Sequence, residues 1–171
     1  MHALPELARH EEWYAVQTRH CCERMATDHL HRSGIEAFLP LHEEVHTWSD
    51  RKKLVLVPMF PGYVFVRIHL RDARLAVLRT PGVRKFVTFN GSVASIEPAQ
   101  IDAVRLLMER KIPCKVGPCV PLGTRIRIQG GVLDGLEGTL SQSSRQMLVI
   151  TIEPLQRSIT VDARGYQVIP V

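Results

Sequence analysis

The segment at residues 58–66, PMFPGYVFV, constrains the fold of this 171-residue chain more than any other stretch. A proline lacks a backbone N–H and fixes φ, so a central strand can begin only after Pro61. Gly62 permits a close backbone approach or a positive φ. The aromatic and valine side chains that follow alternate between two strand faces. A rigid turn therefore begins a strand and holds Phe60 and Tyr63 near its start.

Two interpretations of this turn are open on the segment alone. Aromatic side chains on a rigid support make good contact groups for a partner protein. The same residues suit an ordinary core strand that follows an edge turn, and the segment by itself favours this second interpretation. The rest of the chain has to decide between them.

Length and composition limit the class of protein. A chain of 171 residues, 45% hydrophobic and 23% charged, is typical of one medium or two small globular domains. No apolar run is long enough to cross a bilayer, and the first residues lack the basic-then-apolar order of a signal peptide. We therefore expect a cytoplasmic protein without a membrane segment.

The distribution of charge indicates where an anionic partner would bind. The formal net charge is +5, which permits contact with nucleic acid. Residues 1–119 hold 17 Lys and Arg against 13 Asp and Glu, a net charge of +4, whereas residues 120–171 hold 5 against 4, a net charge of +1. Attraction to phosphate is therefore expected mainly in the first part of the chain.

The cysteine spacing does not predict a metal site. The four cysteines are an adjacent pair, Cys21 and Cys22, and a second pair, Cys114 and Cys119, and neither pair has the spacing of a zinc ribbon or finger. A cytoplasmic chain keeps such thiols reduced. We expect free thiols, no bound metal and no cofactor; a bridge between Cys114 and Cys119 would require an oxidising compartment.

The first 110 residues alternate between strand and helix patterns. Aromatic and β-branched runs predict strands, and apolar residues at helical spacing predict helices. The strands are expected at 13–18, 35–48, 54–57, 63–66 and 83–89, and the helices at 20–33, 72–78 and from 97 onward. This order predicts an α+β fold, with helices packed on an antiparallel sheet.

The chain changes character after residue 110. Residues 111–121 contain three prolines and a glycine, which predicts a linker. Five short strands follow, separated by turn residues, and this pattern predicts a small barrel. The strands are expected at 124–129, 138–142, 147–152, 158–161 and 166–169. The predicted domains are therefore 1–110 and 122–171, joined by the linker.

Two groups of residues in this order resemble one family. Trp13-Tyr14-Ala15-Val16, residues 60–66 and Pro81-Gly82-Val83 resemble the N-terminal domain of the NusG family. Residues 125–139 are similar to a KOW motif, with glycine at the required positions 130 and 138. The resemblance covers residues 12–171, with the predicted linker between the two parts.

The resemblance implies a transcription elongation and antitermination factor and not an enzyme. In this family the N-terminal domain is a helix-and-sheet sandwich that binds the clamp helices of RNA polymerase. The KOW domain is an SH3-like barrel that recruits Rho or a small-subunit ribosomal protein. The chain is expected to be a monomer without a cofactor. The polymerase-binding positions carried over are Trp13, Tyr14, Phe60, Pro61 and Tyr63.

Within the family, residues 82–91 look closer to specialised, RfaH-like members than to housekeeping NusG. Gly131-Val132 also replaces the Pro-Phe that is usual in housekeeping members. This favours an operon-specific antiterminator; housekeeping NusG is the alternative. The barrel itself is expected to be stable because it is rich in β-branched residues.

Specialised members read the exposed non-template DNA strand, which implies DNA contacts near the first helix. Arginines near a helix N-terminus attract phosphate. The DNA-binding candidates are Arg19, His20, Arg24 and, in the predicted hairpin turn at 49–53, Lys52 and Lys53. A solvated loop is an equally good interpretation of that turn. Four apolar residues are assigned to contacts of the KOW domain with its partner: Val132, Leu136, Ile152 and Leu155.

Two other classes of protein compete with this interpretation. His20 beside Cys21 and Cys22 suggests a thiol nucleophile, but adjacent helical residues point in different directions and no phosphate loop is present. A KOW-type RNA-binding or ribosome-binding protein would explain the barrel alone. The aromatic set near residues 13 and 60 argues against it, because such a protein has no need of a clamp-binding domain.

Overall fold

A computed structural model of the chain describes residues 10–119, 122–141 and 146–171. Predictions about residues 1–9, 120–121 and 142–145 lie outside the described residues; they include the end of the strand expected to reach residue 142 and the end of the linker.

The first part of the chain combines helices and antiparallel strands. Its elements, in chain order, are β1 (Glu12–Thr18), α1 (Glu23–Arg32), β2 (Glu36–Phe38), β3 (Leu41–Thr47), β4 (Lys52–Pro58), β5 (Tyr63–Ile68), α2 (Leu70–Leu78), β6 (Val83–Phe86), β7 (Thr88–Phe89), β8 (Ser92–Val93), β9 (Ser95–Ile96) and α3 (Pro98–Glu109).

The central sheet of this part is covered on both faces. Its strand order is β2-β5-β1-β6, and β9 also pairs with β1. Alternate residues of β1 and β5 enter two separate buried clusters. One cluster includes Trp13 and Phe65 together with residues of α3. The other includes Tyr14 and Val64 together with residues of α1 and α2. The predicted α+β arrangement of sheet and helices is confirmed.

The turn at residues 58–66 leads into the sheet as expected. Phe65 is fully buried on the α3 side, and Tyr63 packs against the same cluster. Val64 and Val66 lie on the opposite side. The predicted sharing of one face by Tyr63 and Phe65 is therefore confirmed.

Strands β3 and β4 form a two-stranded hairpin apart from the central sheet. Their pairing runs from Leu41 opposite Pro58 to Thr47 opposite Lys52. Because only two strands are present, much of the hairpin remains in solvent. Its exposed apolar side chains are Val45, Trp48, Leu54 and Leu56.

In the last part of the chain, the regular elements among the described residues are strands and two single turns of 3-10 helix. Its strands are β10 (Cys114–Pro118), β11 (Leu122–Gln129), β12 (Glu137–Ser141), β13 (Met147–Ile152), β14 (Arg157–Asp162) and β15 (Gln167–Pro170). They form one antiparallel sheet in the order β10-β14-β13-β12-β11-β15, called the C-terminal sheet below. All five strands predicted after residue 122 are present; closure into an SH3-like barrel stays a prediction.

The segment predicted to be a linker contains a strand, which corrects that prediction locally. Residues Cys114–Pro118 form β10 and pair with β14 along five residues. Cys114 and Val116 alternate toward the buried cluster and are half-buried against it. Pro113 lies before the strand and Pro118 at its last position, where a missing N–H does little harm. Pro113 and Pro118, two of the prolines that suggested a linker, therefore lie at the two ends of a short edge strand.

The two parts of the chain pack against each other. Helix α3 contacts β13, and the 3-10 turn Glu153–Leu155 contacts β9. Buried residues of both parts belong to one continuous cluster. At the end of α3, Nη1 of Arg110 donates hydrogen bonds to the carbonyl oxygens of Val132 (2.8 Å) and Asp134 (3.0 Å). The C-terminal sheet is thus docked on α3.

Within the described ranges, every helix is too short or too polar to cross a lipid bilayer.

Gly138 tests the packing of the C-terminal sheet. A Cβ at this position would lie 2.6 Å from the carbonyl oxygen of Val149 and 2.9 Å from Leu148. We expect Gly138→Ala to lower the free energy of unfolding by about 1–3 kcal/mol, because backbone would have to move, as measured by urea denaturation. Gly117→Ala is the matched control, since its added Cβ meets nothing within 4 Å. Equal stability of the two variants would contradict this packing.

Candidate functional site

The turn between β4 and β5 is fixed by hydrogen bonds from three sides. The amide of Gly62, at φ +85°, donates to Oε1 of Glu23 at 2.7 Å. The amide of Tyr63 donates to the carbonyl of Phe60 at 3.1 Å, and the carbonyl of Gly62 accepts from the amide of Thr18 at 2.8 Å. The turn is therefore tied both to helix α1 and to the end of β1.

Glu23 is a site residue that the sequence prediction missed. It lies in the first turn of α1 and is buried, with 8% of its surface exposed. An acidic residue in a first helical turn is visible in the sequence. Its partner, Gly62, is 39 residues away along the chain, so only the tertiary structure reveals the contact.

A second glycine turn supports the loop before α1. The amide of Arg19 donates to the carbonyl of Gly82 at 2.8 Å. Gly82 has φ +87°, and a Cβ there would lie 3.1 Å from Cβ of Cys22 and from Cε of Met25. The loop at residues 19–22 is therefore held between the two Pro-Gly turns that the sequence singled out.

The five predicted polymerase-binding residues do not form one exposed surface. Trp13, Tyr14 and Phe60 are only 5%, 5% and 2% exposed, Tyr63 is half-buried, and Pro61 is exposed. Trp13 and Phe60 lie on the α3 side of the sheet, whereas Tyr14 lies on the other side. The structure brings Phe60, Pro61 and Tyr63 together and separates Tyr14 from them.

Tyr14 has its own local environment. Its hydroxyl donates to Oε2 of Glu12 at 2.7 Å, and its ring meets Phe86 edge-on at 6.2 Å. Burial, together with this hydrogen bond and the negative charge of Glu12, raises the pKa of Tyr14 to about 12. These contacts are those of a buried packing residue.

Arg105 covers the indole of Trp13. Its guanidinium lies 5.1 Å from the ring centroids of both Trp13 and Phe38, within the range of cation–π attraction. Its Nη2 also donates to Oε1 of Glu36 at 3.2 Å. Helix α3 is thereby fastened over this end of the sheet.

An apolar groove opens beside the fixed turn. It lies between the β3–β4 hairpin, the end of α3 and residues 111–114, and has a volume of about 520 Å³. Lys111 and Glu43 also line it, and Nζ of Lys111 lies 3.1 Å from Oε1 of Glu43. Met59 lines the groove and directly precedes Phe60. The other apolar lining residues are Leu41, Leu56, Leu107, Met108 and Ile112.

The predicted DNA-binding residues occupy two places. Arg19 and His20 are exposed side by side on the loop before α1. Arg24 is tied to the hairpin, because its Nη2 donates to the carbonyl of Leu56 at 2.8 Å. Lys52 and Lys53 lie at the far end of the hairpin and, as strand neighbours, point to opposite faces.

Additional cations lie near Arg19 that the sequence prediction did not select. Residues 70–85 contain five Arg and Lys and one Asp, a net charge of +4, which is most of the +5 of the whole chain. Arg79, Arg84 and Lys85 are exposed on either side of the Gly82 turn. Counting charge over windows of this length would have found them.

The predicted KOW contact residues are mostly core residues. Leu136, Ile152 and Leu155 are 1%, 0% and 6% exposed. Val132 is 59% exposed, on the turn between β11 and β12. Of the four, Val132 is therefore the one whose side chain a partner could contact directly in this arrangement.

Titratable side chains do not assemble a metal centre in the described part of the chain: no three His, Cys, Asp or Glu residues lie close enough to share an ion. Glu44 does accept hydrogen bonds from His42 (2.9 Å) and His46 (3.4 Å). These bonds, first that from His42, lower the pKa of the Glu44 carboxyl. The four cysteines are free thiols.

Comparisons with known proteins agree with this architecture. A family model described as "Transcription termination factor nusG" matches residues 11–105. The transcription termination/antitermination protein NusG of Lactococcus lactis is 26% identical over 168 residues, which cover 91% of each chain. NusG of Staphylococcus carnosus is 25% identical over 158 residues, 83% of this chain and 85% of that protein.

A solved structure shows the same fold. The structure of Thermotoga maritima NusG that describes its domain interaction covers 92% of this chain and 96% of its own, with a TM-score of 0.50 and 21% sequence identity.

Glu23 tests how the turn is held. Glu23→Ala leaves the half-buried Gly62 amide without its acceptor, so we expect a loss of about 1–3 kcal/mol in the free energy of unfolding. Glu23→Gln keeps an acceptor oxygen at the same place and should recover most of that loss. Urea denaturation of the three proteins measures both effects. The hydrogen bond would have no stabilising role if all three proteins unfolded at the same midpoint.

Proposed function

The chain belongs to the NusG family of transcription termination and antitermination factors, and we propose from this premise that residues 1–110 bind the clamp helices of RNA polymerase. Residues 122–171 recruit a second partner, Rho or a small-subunit ribosomal protein, and the factor acts on particular operons. The observation that carries the proposal is the fixed aromatic turn at the end of an open apolar groove.

The groove suits a helical partner. Amphipathic helices bind by placing apolar side chains into a preformed groove. Leu56 on one wall is 49% exposed, and Leu107 on the other belongs to α3. Pro61 lines an adjoining pocket that Met59 also lines, and Tyr63 follows it in the turn. A clamp helix lying along the groove would bury the exposed apolar side of the hairpin.

The buried aromatics support the groove from below. Phe60 packs edge-on against Phe65, with 5.7 Å between ring centroids, and Trp13 is held under Arg105. Because these rings are core residues, replacing Phe60 would disturb the fold together with binding. Binding is better tested at the exposed rim.

Leu56→Glu should weaken binding to core RNA polymerase at least roughly tenfold, since it puts a charge on an apolar contact surface. Leu75→Glu is the matched control: Leu75 is 64% exposed on α2 and lines no part of the groove. Fluorescence anisotropy with labelled protein measures both affinities. Unchanged affinity for Leu56→Glu, or an equal loss for Leu75→Glu, would count against the proposal.

We propose the exposed cations around the Gly82 turn as the contact for the non-template DNA strand. Arg19 and His20 lie on the loop held by Gly82, and Arg79, Arg84 and Lys85 flank that turn. In the described part of the chain these four Arg and Lys side chains have no carboxylate within ion-pair distance. Unpaired cations on a rigid loop are available for phosphate.

Replacing Arg19 and Arg84 with Ala should flatten the salt dependence of single-stranded DNA binding. Two lost phosphate contacts lower the slope of log K against log salt by about 1.4 in magnitude. Arg164→Ala is the control, because Arg164 is paired with Asp162 in the C-terminal sheet. Titrations of a labelled oligonucleotide at several salt concentrations give the slopes. An unchanged slope in the double variant would remove these residues from the DNA site.

The turn that carries Val132 supports the proposed second contact. The side chain of Val132 is exposed, while the carbonyl of Val132 accepts a hydrogen bond from Arg110. A partner that contacts Val132 would therefore bind the same turn that Arg110, at the end of α3, holds by hydrogen bonds. Recruitment of a partner and docking of the C-terminal sheet on α3 would thus involve the same residues.

A housekeeping NusG role is compatible with the same contacts and is the alternative. Occupancy of most transcribed genes in the cell would favour it, whereas occupancy of a few operons would favour the specialised role. A KOW-type ribosome-binding protein would instead purify with ribosomal subunits and without polymerase.

A further inference from the structure

The chain between the two parts of the molecule is itself paired with the C-terminal sheet. Five residue pairs join β10 to β14, from Cys114 opposite Val161 to Pro118 opposite Arg157. On its outer side β10 has no strand neighbour among the described residues. The connecting segment is therefore an edge strand of the sheet that it connects.

This pairing shortens the tether between the two parts. Helix α3 ends at Glu109 and β10 begins at Cys114, so only residues 110–113 can span the gap while β10 is paired. At about 3.5 Å per extended residue they reach about 14 Å. If β10 separates from β14, residues 110–121 form the tether and reach about 42 Å.

The composition and position of β10 allow it to separate from the sheet, because it is an edge strand with only one strand neighbour. It ends in Gly117 and Pro118, residues depleted in strands, and its two inward residues are only half-buried. Its partner β14 is held independently by β13, along six residue pairs that include the buried Ile159 and Val161. The strand β10 can therefore leave while β14 stays in place.

We propose that β10 is a releasable strap that sets how far the C-terminal sheet can move from α3. While paired, it keeps the sheet within the short reach at which α3 and Arg110 hold it. When released, it triples the length of the tether and lowers the effective concentration of the sheet at α3 roughly fivefold, following the −3/2 power of tether length.

Ala103 provides a reporter for separation of the two parts. It lies two residues after Ile101 and thus about 200° around α3 from that core position, yet it is only 7% exposed. Helix α3 contacts β13, and Ala99, one turn before Ala103, lines a pocket together with Val149 and Ile150 of that strand, so we infer that β13 covers Ala103. In a protein whose four native cysteines are replaced by serine, the thiol of Ala103→Cys should react with Ellman's reagent only when the sheet has left α3.

The first test lengthens the tether without changing the sheet. Eight Gly and Ser residues inserted between Ile112 and Pro113 give the same number of free residues as release of β10. The labelling rate at position 103 should rise roughly fivefold. The same insert between Asn90 and Gly91, in an exposed turn, is the control and should leave the rate unchanged. An unchanged rate with the 112/113 insert overturns the proposal.

The second test releases the strap directly. Lys115→Pro with Val116→Pro removes two consecutive N–H groups from β10, so at least one ladder hydrogen bond is lost. Labelling at position 103 should rise at least fivefold. The control is Cys119→Pro, which places a proline just beyond the strand in the same cysteine-free background and should have no effect.

Hydrogen exchange of β13 and β14 amides checks that the sheet remains folded in the double-proline variant. If the sheet unfolds in this variant, the result with the insert between Ile112 and Pro113 alone tests the proposal. If the sheet stays folded, an unchanged labelling rate at position 103 overturns the proposal. Neither test depends on polymerase binding.

Discussion

The hydrogen bond from the amide of Gly62 to the buried carboxylate of Glu23 joins segments that are far apart in the chain. A carboxylate that is buried needs a hydrogen-bond donor in place of water. Gly62 can supply its amide because a glycine, which has no Cβ, adopts a positive φ without steric cost. The carbonyl of Gly62 also accepts a hydrogen bond from the amide of Thr18. The two hydrogen bonds of Gly62 therefore hold the end of β1, the start of α1 and the start of β5 together. The groove and the basic loop both lie next to this junction.

Much of the fold could be predicted from local patterns. The alternation in residues 63–66, the helical spacing in α3 and the glycine-separated strands of the C-terminal sheet are each set by nearby residues. The strand at Cys114–Pro118 was missed because its residues have little strand preference and form a strand only against β14. Its existence depends on a partner strand about forty residues away along the chain.

The candidate site was less predictable for a related reason. Trp13 and Tyr14 are adjacent in the motif, but adjacent strand residues face opposite sides of a sheet that is covered on both faces. Phe60 was correctly placed in the turn, yet whether its ring pointed to solvent or to Phe65 depended on packing. Exposure of an aromatic residue is a tertiary property, so a motif alone fixes its position and not its accessibility.

Helix α3 contacts both parts of the chain and lies beside both of the proposed binding surfaces. One side of it packs on the central sheet, its last turn lines the apolar groove, and β13 covers a further side. Arg110, at its end, grips the turn that carries the exposed Val132. A helical partner entering the groove would press on residues 107–113, where the short tether begins. Because the tether leads directly into β10, strain from a partner at the groove would act first on the pairing of β10 with β14.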